Sequence, residues 1–332
     1  MPVDEQRSAA AAGAPSRHLM RVGGVHIHWA ELGRGHPIVL LHGVCDSHRT
    51  WLKVAPELAR TRRVLMPDLP GHGLSDRPDA PYTAEWHAAM IGAWIDALKL
   101  RSFDLVGHSF GGGAALMLLV SHGHRVRRLA LVASGGLGRE VNIGLRLWSA
   151  CESAERLAQP FVAPTTRLAI ASFLPETGAE DAAFATWFNA MPGTGLALSR
   201  TVRSAIDWGG QKVRFADRAE ELAHALPPIA LFWGERDAII PIEHGVEMAA
   251  LLDGAPLTRF PGCGHWPQQE QPALFGEALS RFLACSGDRA RLRRAGPPAS
   301  RWARCLRLAA AWLRRQVEAM SSRLRRRRLK AP

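Results

Sequence analysis

No stretch of this sequence is apolar for long enough to cross a bilayer, so a protein with a membrane-spanning helix is not expected. The first residues carry Asp4 and Glu5 ahead of Ala9 to Ala12. They lack the basic start and apolar core of a secretory signal, which makes a cytoplasmic location the expectation. Cysteine is scarce. Cys45, Cys151, Cys263, Cys285 and Cys305 show no paired metal-ligand spacing, and an odd, scattered set points to free thiols with no essential disulfide. His26, His28, His122 and His124 have no cysteine or carboxylate cluster around them, so no metal site is expected. The glycine-rich stretch that starts at Gly107 lacks the lysine of a phosphate loop. With 47% of its residues apolar, the chain can build a core and does not read as disordered.

The net charge of +12 is concentrated at one end. Between Arg289 and Lys330 fifteen basic residues face only Glu318, so this segment carries +14 and the rest of the chain −2. Gly296-Pro297-Pro298-Ala299-Ser300 precedes most of it. Beyond lie Trp302, Leu306, Ala309, Leu313, Val317, Met320 and Leu324, spaced three or four apart, with arginines filling much of the remainder. That is the pattern of a basic amphipathic helix over 301–332. It suits an anionic membrane surface, contacted through residues 301–330, on the inner face of the membrane. Nucleic acid needs no such apolar stripe and is the poorer fit. A helix packed on its own domain is the plain alternative.

Apolar runs at 37–41, 63–66, 103–106, 126–133, 229–233 and 257–260 read as strands, and several helical patterns fall between them. Thr83 to Leu98, with Trp86, Met90, Ile91, Trp94, Ile95 and Leu98, is the clearest helix, and Trp51 to Leu58 reads as another. Leu19 to Val22 and Val25 to Glu31, around Gly23-Gly24, read as a hairpin. Alternation of this kind predicts an α/β protein with a mostly parallel sheet covered on both faces. It lapses from Val141 to Leu226, where helical pieces are separated by Pro160, Pro164, Pro175 and Pro192 without a convincing strand. The expected organisation is a leader at 1–18, a core of 19–135 and 227–284, an inserted helical cap at 136–226, a linker at 285–300 and the basic helix at 301–332.

The chemistry centres on Gly107-His108-Ser109-Phe110-Gly111, between an apolar strand and an alanine-rich helix. Gly-x-Ser-x-Gly in that setting is a nucleophile elbow, a strained turn that lifts the serine hydroxyl clear of its surroundings. Two partners follow in the expected order, Asp237 and then His265, each just past a strand. A serine hydroxyl is a poor nucleophile until an imidazole takes its proton, and a carboxylate must hold that imidazole in one tautomer. The developing oxyanion needs donors. The Phe110 N–H heads the helix, and the loop after Leu41 supplies a second, taken as Val44 N–H.

Together His42-Gly43, Asp68-Leu69-Pro70-Gly71-His72-Gly73-Leu74-Ser75, Gly107-His108-Ser109-Phe110-Gly111-Gly112, Gly234-Glu235-Arg236-Asp237 and Gly264-His265 resemble the α/β-hydrolase superfamily across most of residues 19–284. The resemblance implies an eight-stranded, mostly parallel sheet with helices on both faces, an inserted helical cap and no cofactor. Ser109 matches the nucleophile, Asp237 rather than Glu235 the acid, His265 the base, and Val44 and Phe110 the oxyanion positions. Serine at 109 speaks against the dehalogenases and epoxide hydrolases of the family, which use aspartate there. His42, His72 and Asp68 match residues that fasten loops, His108 reads as packing or tuning, and His244 falls within a helix.

The expected reaction is hydrolysis of an apolar or lipid-like small-molecule ester through an acyl-enzyme. Trp148, Trp187, Phe188, Met191, Trp208 and Trp266 are the candidates for its pocket. Gly107-His108-Ser109-Phe110-Gly111-Gly112 with Gly135-Gly136-Leu137-Gly138 also resembles the branch that hydrolyses carbon–carbon bonds in ring-cleavage products. That branch usually carries an arginine near the end of the cap, a place Arg200 or Arg203 can fill. Perhydrolysis by the same three residues and a catalytically weak scaffold with a membrane-binding tail are the remaining alternatives.

Overall fold

The structure, a computed structural model, describes residues 13–284 apart from 152–153, 213, 216–225 and 253–254. Most of the expected leader, together with the linker and the basic amphipathic helix, lies outside the described residues.

Eight strands form the central sheet: β1 (Ser16–Val22), β2 (Val25–Leu32), β3 (His36–Leu41), β4 (Arg62–Pro67), β5 (Phe103–His108), β6 (Val126–Val132) and, after the insertion, β9 (Ile229–Gly234) and β10 (Leu257–Phe260). Their spatial order is β1-β2-β4-β3-β5-β6-β9-β10. β1 and β2 form the expected hairpin, and β2 is antiparallel to β4; from β4 onward all neighbours are parallel.

The inner strands read as unbroken apolar runs because helices cover both faces. Val39, Leu41, Leu65, Leu105, Leu129, Leu131 and Trp233 point into one core, with the helices Ala84–Ala97, Phe110–His122 and Glu243–Leu251. Their neighbours Ile38, Leu40, Val64, Met66, Val106, Val132 and Phe232 point into the other, against Ala55–Ala59 and Pro272–Ala284. At the amino ends of the strands Asp104, with a fully buried side chain, pairs with Arg62, whose other nitrogen donates to the Leu283 carbonyl at 2.8 Å.

Between β6 and β9 lies the helical insertion, with helices Ile143–Ala150, Ala154–Leu157, Gln159–Phe173, Ala179–Ala190 and Thr194–Ala205. Three local expectations are corrected. The insertion contains a small hairpin, β7 (Ile206–Asp207) with β8 (Gly210–Gln211), too short to leave a periodic signal. Pro160 stands in the first turn of the helix Gln159–Phe173 and Pro164 inside it, where it removes one N–H donor from the ladder, while Pro175 and Pro192 do fall between helices. The stretch from Trp51 to Leu58 divides into a 3-10 turn, His48–Trp51, and a helix, Ala55–Ala59, with Pro56 in its first turn.

Ser109 stands at φ 53°, in the left-handed region, between β5 and the helix Phe110–His122. This turn fits because the backbone on either side is bare. A Cβ on Gly111 would lie 2.4 Å from the His42 carbonyl oxygen, and one on Gly107 would lie 2.5 Å from the Gly111 oxygen. Both contacts are with backbone, which cannot swing aside. Gly111→Ala should therefore lower unfolding stability by about 3 kcal/mol through overpacking, read as a drop in urea midpoint; an unchanged midpoint would refute this account of the elbow.

Candidate active site

Parallel strands bring their carboxyl ends to one edge, and the loops that leave β3, β5, β9 and β10 meet there. They carry Val44, Ser109, Asp237 and His265. The Asp237 and His265 loops touch through glycine, since a Cβ on Gly234 would come within 1.9 Å of the Gly264 carbonyl oxygen. The Asp237 side chain is fully buried. Its Oδ2 accepts the His265 Nδ1–H at 2.7 Å, and its Oδ1 accepts the N–H groups of Ile239 and Ile240 at 2.8 and 2.9 Å. Glu235, its rival in the sequence, is exposed. An imidazole held in this way has its far nitrogen free to take and return a proton.

Histidines brace the surrounding loops. His108 Nε2–H donates to the His265 carbonyl at 2.9 Å, tying the end of β5 to the loop that carries His265. Burial and the nearby His265 ring hold His108 well below the usual imidazole range. His42 Nδ1–H donates to the Gly43 carbonyl at 2.7 Å, and its Nε2 accepts the Leu69 N–H at 2.9 Å. Burial lowers its pKa to about 4. His72 is likewise held well below its ordinary value by burial.

Asp68, fully buried, accepts the backbone N–H groups of His48 and Leu74 and the Nδ1–H groups of His28 and His48. Burial pushes its carboxyl up, but the His48 and His28 rings and their hydrogen bonds outweigh that and hold it well below the carboxylate range. His28, His48 and Asp68 bring ligand-type atoms within 4.8 Å of one another. The Asp68 oxygens are already engaged by N–H donors, so the cluster reads as a loop fastener. His244 Nε2 meets Glu140 at 2.9 Å.

Two cavities meet at Ser109. The larger, of about 370 Å³, is walled by Ser109, His265, Trp148, Phe188 and Trp266; Asp46 and Arg49 also reach it. The smaller, of about 100 Å³, takes in Val44, Ser109, Phe110, Gln211 and Arg214. The expected residues Ser109, His265, Val44, Phe110, Trp148, Phe188 and Trp266 are thus brought together, with Asp237 behind His265.

Three candidates lie outside both cavities. Trp187 is 54% exposed on the outer face of the helix that turns Phe188 inward, since adjacent helical positions diverge by about 100°. Trp208 is 58% exposed at the tip of the β7–β8 hairpin, under the Arg146 guanidinium. Met191 follows the end of the same helix as Trp187, in extended backbone, and lines neither cavity. Nor do Arg200 and Arg203. Arg200 pairs with Asp79 and Glu155, and Arg203 pairs with Glu155 at 3.1 Å. The sequence reading missed Asp46, Arg49 and Asn189, whose roles depend on contacts no local pattern announces.

The sequence profile of the α/β hydrolase fold matches residues 36–272. The chain belongs to the α/β-hydrolase family. It is 34% identical to a 2-hydroxymuconate semialdehyde hydrolase of a Pseudomonas species over 271 residues, 79% of this chain and 91% of that one. It is 32% identical to an uncharacterized protein of Mycobacterium tuberculosis over 294 residues, 81% of each. Among solved structures, a meta-cleavage product hydrolase from Pseudomonas fluorescens superposes with a TM-score of 0.67 at 25% identity, over 80% of this chain and 97% of that one. The protein is a hydrolase-family enzyme with a helical cap inserted between β6 and β9.

Two pH dependences of stability follow, of opposite sign. The folded pKa of His42 is depressed, so its contribution is complete above pH 6.5 and is lost as pH falls towards 4; the loss is up to about 3 kcal/mol. His72 and His108 act in the same direction, so the urea midpoint should fall across this window, and a flat midpoint would count against buried neutral rings. Asp46 is raised from 3.8 to about 6 by burial, against the Ser47 N–H and the Thr50 and Trp266 side chains that pull it down. Its cost appears as pH rises through that range. Asp46→Asn should therefore be more stable than wild type above pH 6, by up to about 3 kcal/mol, and the gain should vanish by pH 3.8. A gain that persists unchanged at the acid end would contradict this assignment.

Proposed function

We propose that this protein hydrolyses a carbon–carbon bond beside a ketone, in a vinylogous diketone acid of the kind formed when an aromatic ring is opened, through an acyl-enzyme on Ser109. The observation that carries the reading is the likeness, at 34% identity over 79% of the chain, to a hydrolase of such a semialdehyde. His265 takes the Ser109 proton while Asp237 holds its Nδ1–H, and the serine oxygen attacks the ketone carbon. The N–H groups of Val44 and Phe110 receive the oxyanion, with the helix dipole adding to the second. The carbon–carbon bond breaks, and its electron pair passes to the conjugated fragment, which takes a proton from His265. Water, deprotonated by His265, then releases the carboxylic acid.

Ester hydrolysis by the same residues is the second reading, and one observation favours it. A ring-cleavage acid needs a cation for its carboxylate. Yet Arg200 and Arg203 are paired outside both cavities, Arg49 in the large cavity is already bonded to Asp181 at 2.7 Å and Glu180 at 2.9 Å, and Arg214 reaches only the small cavity of about 100 Å³. An apolar ester asks for no such partner. Residues 301–330 are proposed to bring the enzyme to anionic membrane surfaces independently of the bond that is cleaved.

Steady-state turnover of a vinylogous diketone acid and of p-nitrophenyl esters of graded length separates the two. We expect the diketone acid to be preferred, and Ser109→Ala to lower kcat by roughly four orders of magnitude or more. Ester turnover with the diketone acid untouched would move the assignment to the second reading, and activity that survives Ser109→Ala would overturn both.

A further inference from the structure

The loop after β3 holds a backbone feature that its own sequence does not explain. Cys45 stands at φ 59°, in the left-handed region, although it is not glycine. Such a conformation costs about 1 kcal/mol or more for a residue with a Cβ and persists only where the surroundings impose it. The thiol is not the reason. It is a free thiol that burial pushes up to about 12, inert at ordinary pH.

The imposed contact comes from the cap. Asn189, at the end of the helix Ala179–Ala190 and 0% exposed, donates Nδ2–H to the Cys45 carbonyl at 3.0 Å. Its Oδ1 is buried with no hydrogen-bond partner among the described residues. A buried amide left half-satisfied costs about 1–3 kcal/mol, which an apolar residue of the same volume would avoid. The same helix grips the loop again further along, where Arg49 bonds Asp181 and Glu180 and lies 4.8 Å over the Phe184 ring, and Phe184 packs edge-on to His48. The cap therefore holds, from outside, the turn that directly follows Val44.

We propose that Asn189 is a positioning residue for the reaction: by holding the Cys45 carbonyl it keeps Cys45 in its left-handed turn and so keeps the Val44 N–H aimed at the oxyanion. The cap then acts as part of the oxyanion site as well as a wall of the pocket. This inference rests on the proposed role of the Val44 N–H at Ser109.

Cys45→Gly provides the test, because glycine adopts a positive φ without cost. If Asn189 serves to impose that φ, it matters less where glycine stands at 45. The measurement is the second-order rate at which a fluorophosphonate labels Ser109, which uses the oxyanion donors whatever the natural substrate, together with kcat and KM on whichever substrate is turned over. In the Cys45 background Asn189→Leu should slow labelling and kcat by about tenfold to a hundredfold, short of the loss from deleting a donor outright, with KM changed less than about twofold. In the Cys45→Gly background the same substitution should cost less than about threefold. Asn189→Ala, which removes the donor without adding volume, stands in if the leucine variant fails to fold. Equal losses in both backgrounds, or a loss confined to KM or to thermal stability, would overturn the inference. A wild-type protein that the probe does not label would instead overturn the proposed function beneath it.

Discussion

Backbone lies against backbone where the strands of this sheet end, and the active site depends on that closeness. A methyl group on Gly111 would sit 2.4 Å from the His42 oxygen, and one on Gly234 would sit 1.9 Å from the Gly264 oxygen. Side chains at these points would part the elbow from the β3 loop, and the Asp237 loop from the His265 loop. The 2.7 Å bond between Asp237 and His265 exists because nothing larger than hydrogen separates the chains that carry them. The strained φ of Ser109 is likewise bearable because Gly107 and Gly111 leave room for the helix to seat directly on β3.

Three buried carboxylates show how the same chemistry is put to different uses by its partners. Asp68 meets backbone N–H groups and two imidazoles, is held well below its ordinary value, and locks the β4 loop. Asp237 spends one oxygen on backbone donors of its own loop and the other on His265, so it is directed at a single ring. Asp46 has the Ser47 N–H at 2.8 Å and smaller pulls from the Thr50 and Trp266 side chains, and burial wins, lifting it to about 6. The first is structural, the second is suited to chemistry, and the third is a standing cost beside the large cavity. Satisfied hydrogen bonds, more than burial alone, separate the three.

What was legible in the sequence was what local pattern controls. Strands buried on both faces must be apolar throughout, so β3, β5, β6 and β9 announced themselves. Gly-x-Ser-x-Gly marked the elbow because the turn admits so few residues. Asp237 and His265 could be named because each stands at a fixed short distance past a strand. What was not legible was set by distant contacts. Phe188 and Trp187 are neighbours in sequence, yet only Phe188 faces the cavity, and a cap one helix thick gives both faces apolar residues. Nothing near Cys45 foretells a left-handed turn imposed by Asn189 from 144 residues away.

The charge distribution was where the sequence misled most, because charge in a sequence carries no position. Arginines near the end of the cap looked available to a substrate carboxylate, but Asp79 and Glu155 hold Arg200 on the far side of its helix, while Thr201 and Val202 face the small cavity. The other charged feature, the basic segment 301–332, lies outside the described residues. The last described helix ends with the Leu283 carbonyl held by Arg62, at the amino ends of the strands, whereas Ser109 and both cavities lie at the carboxyl ends.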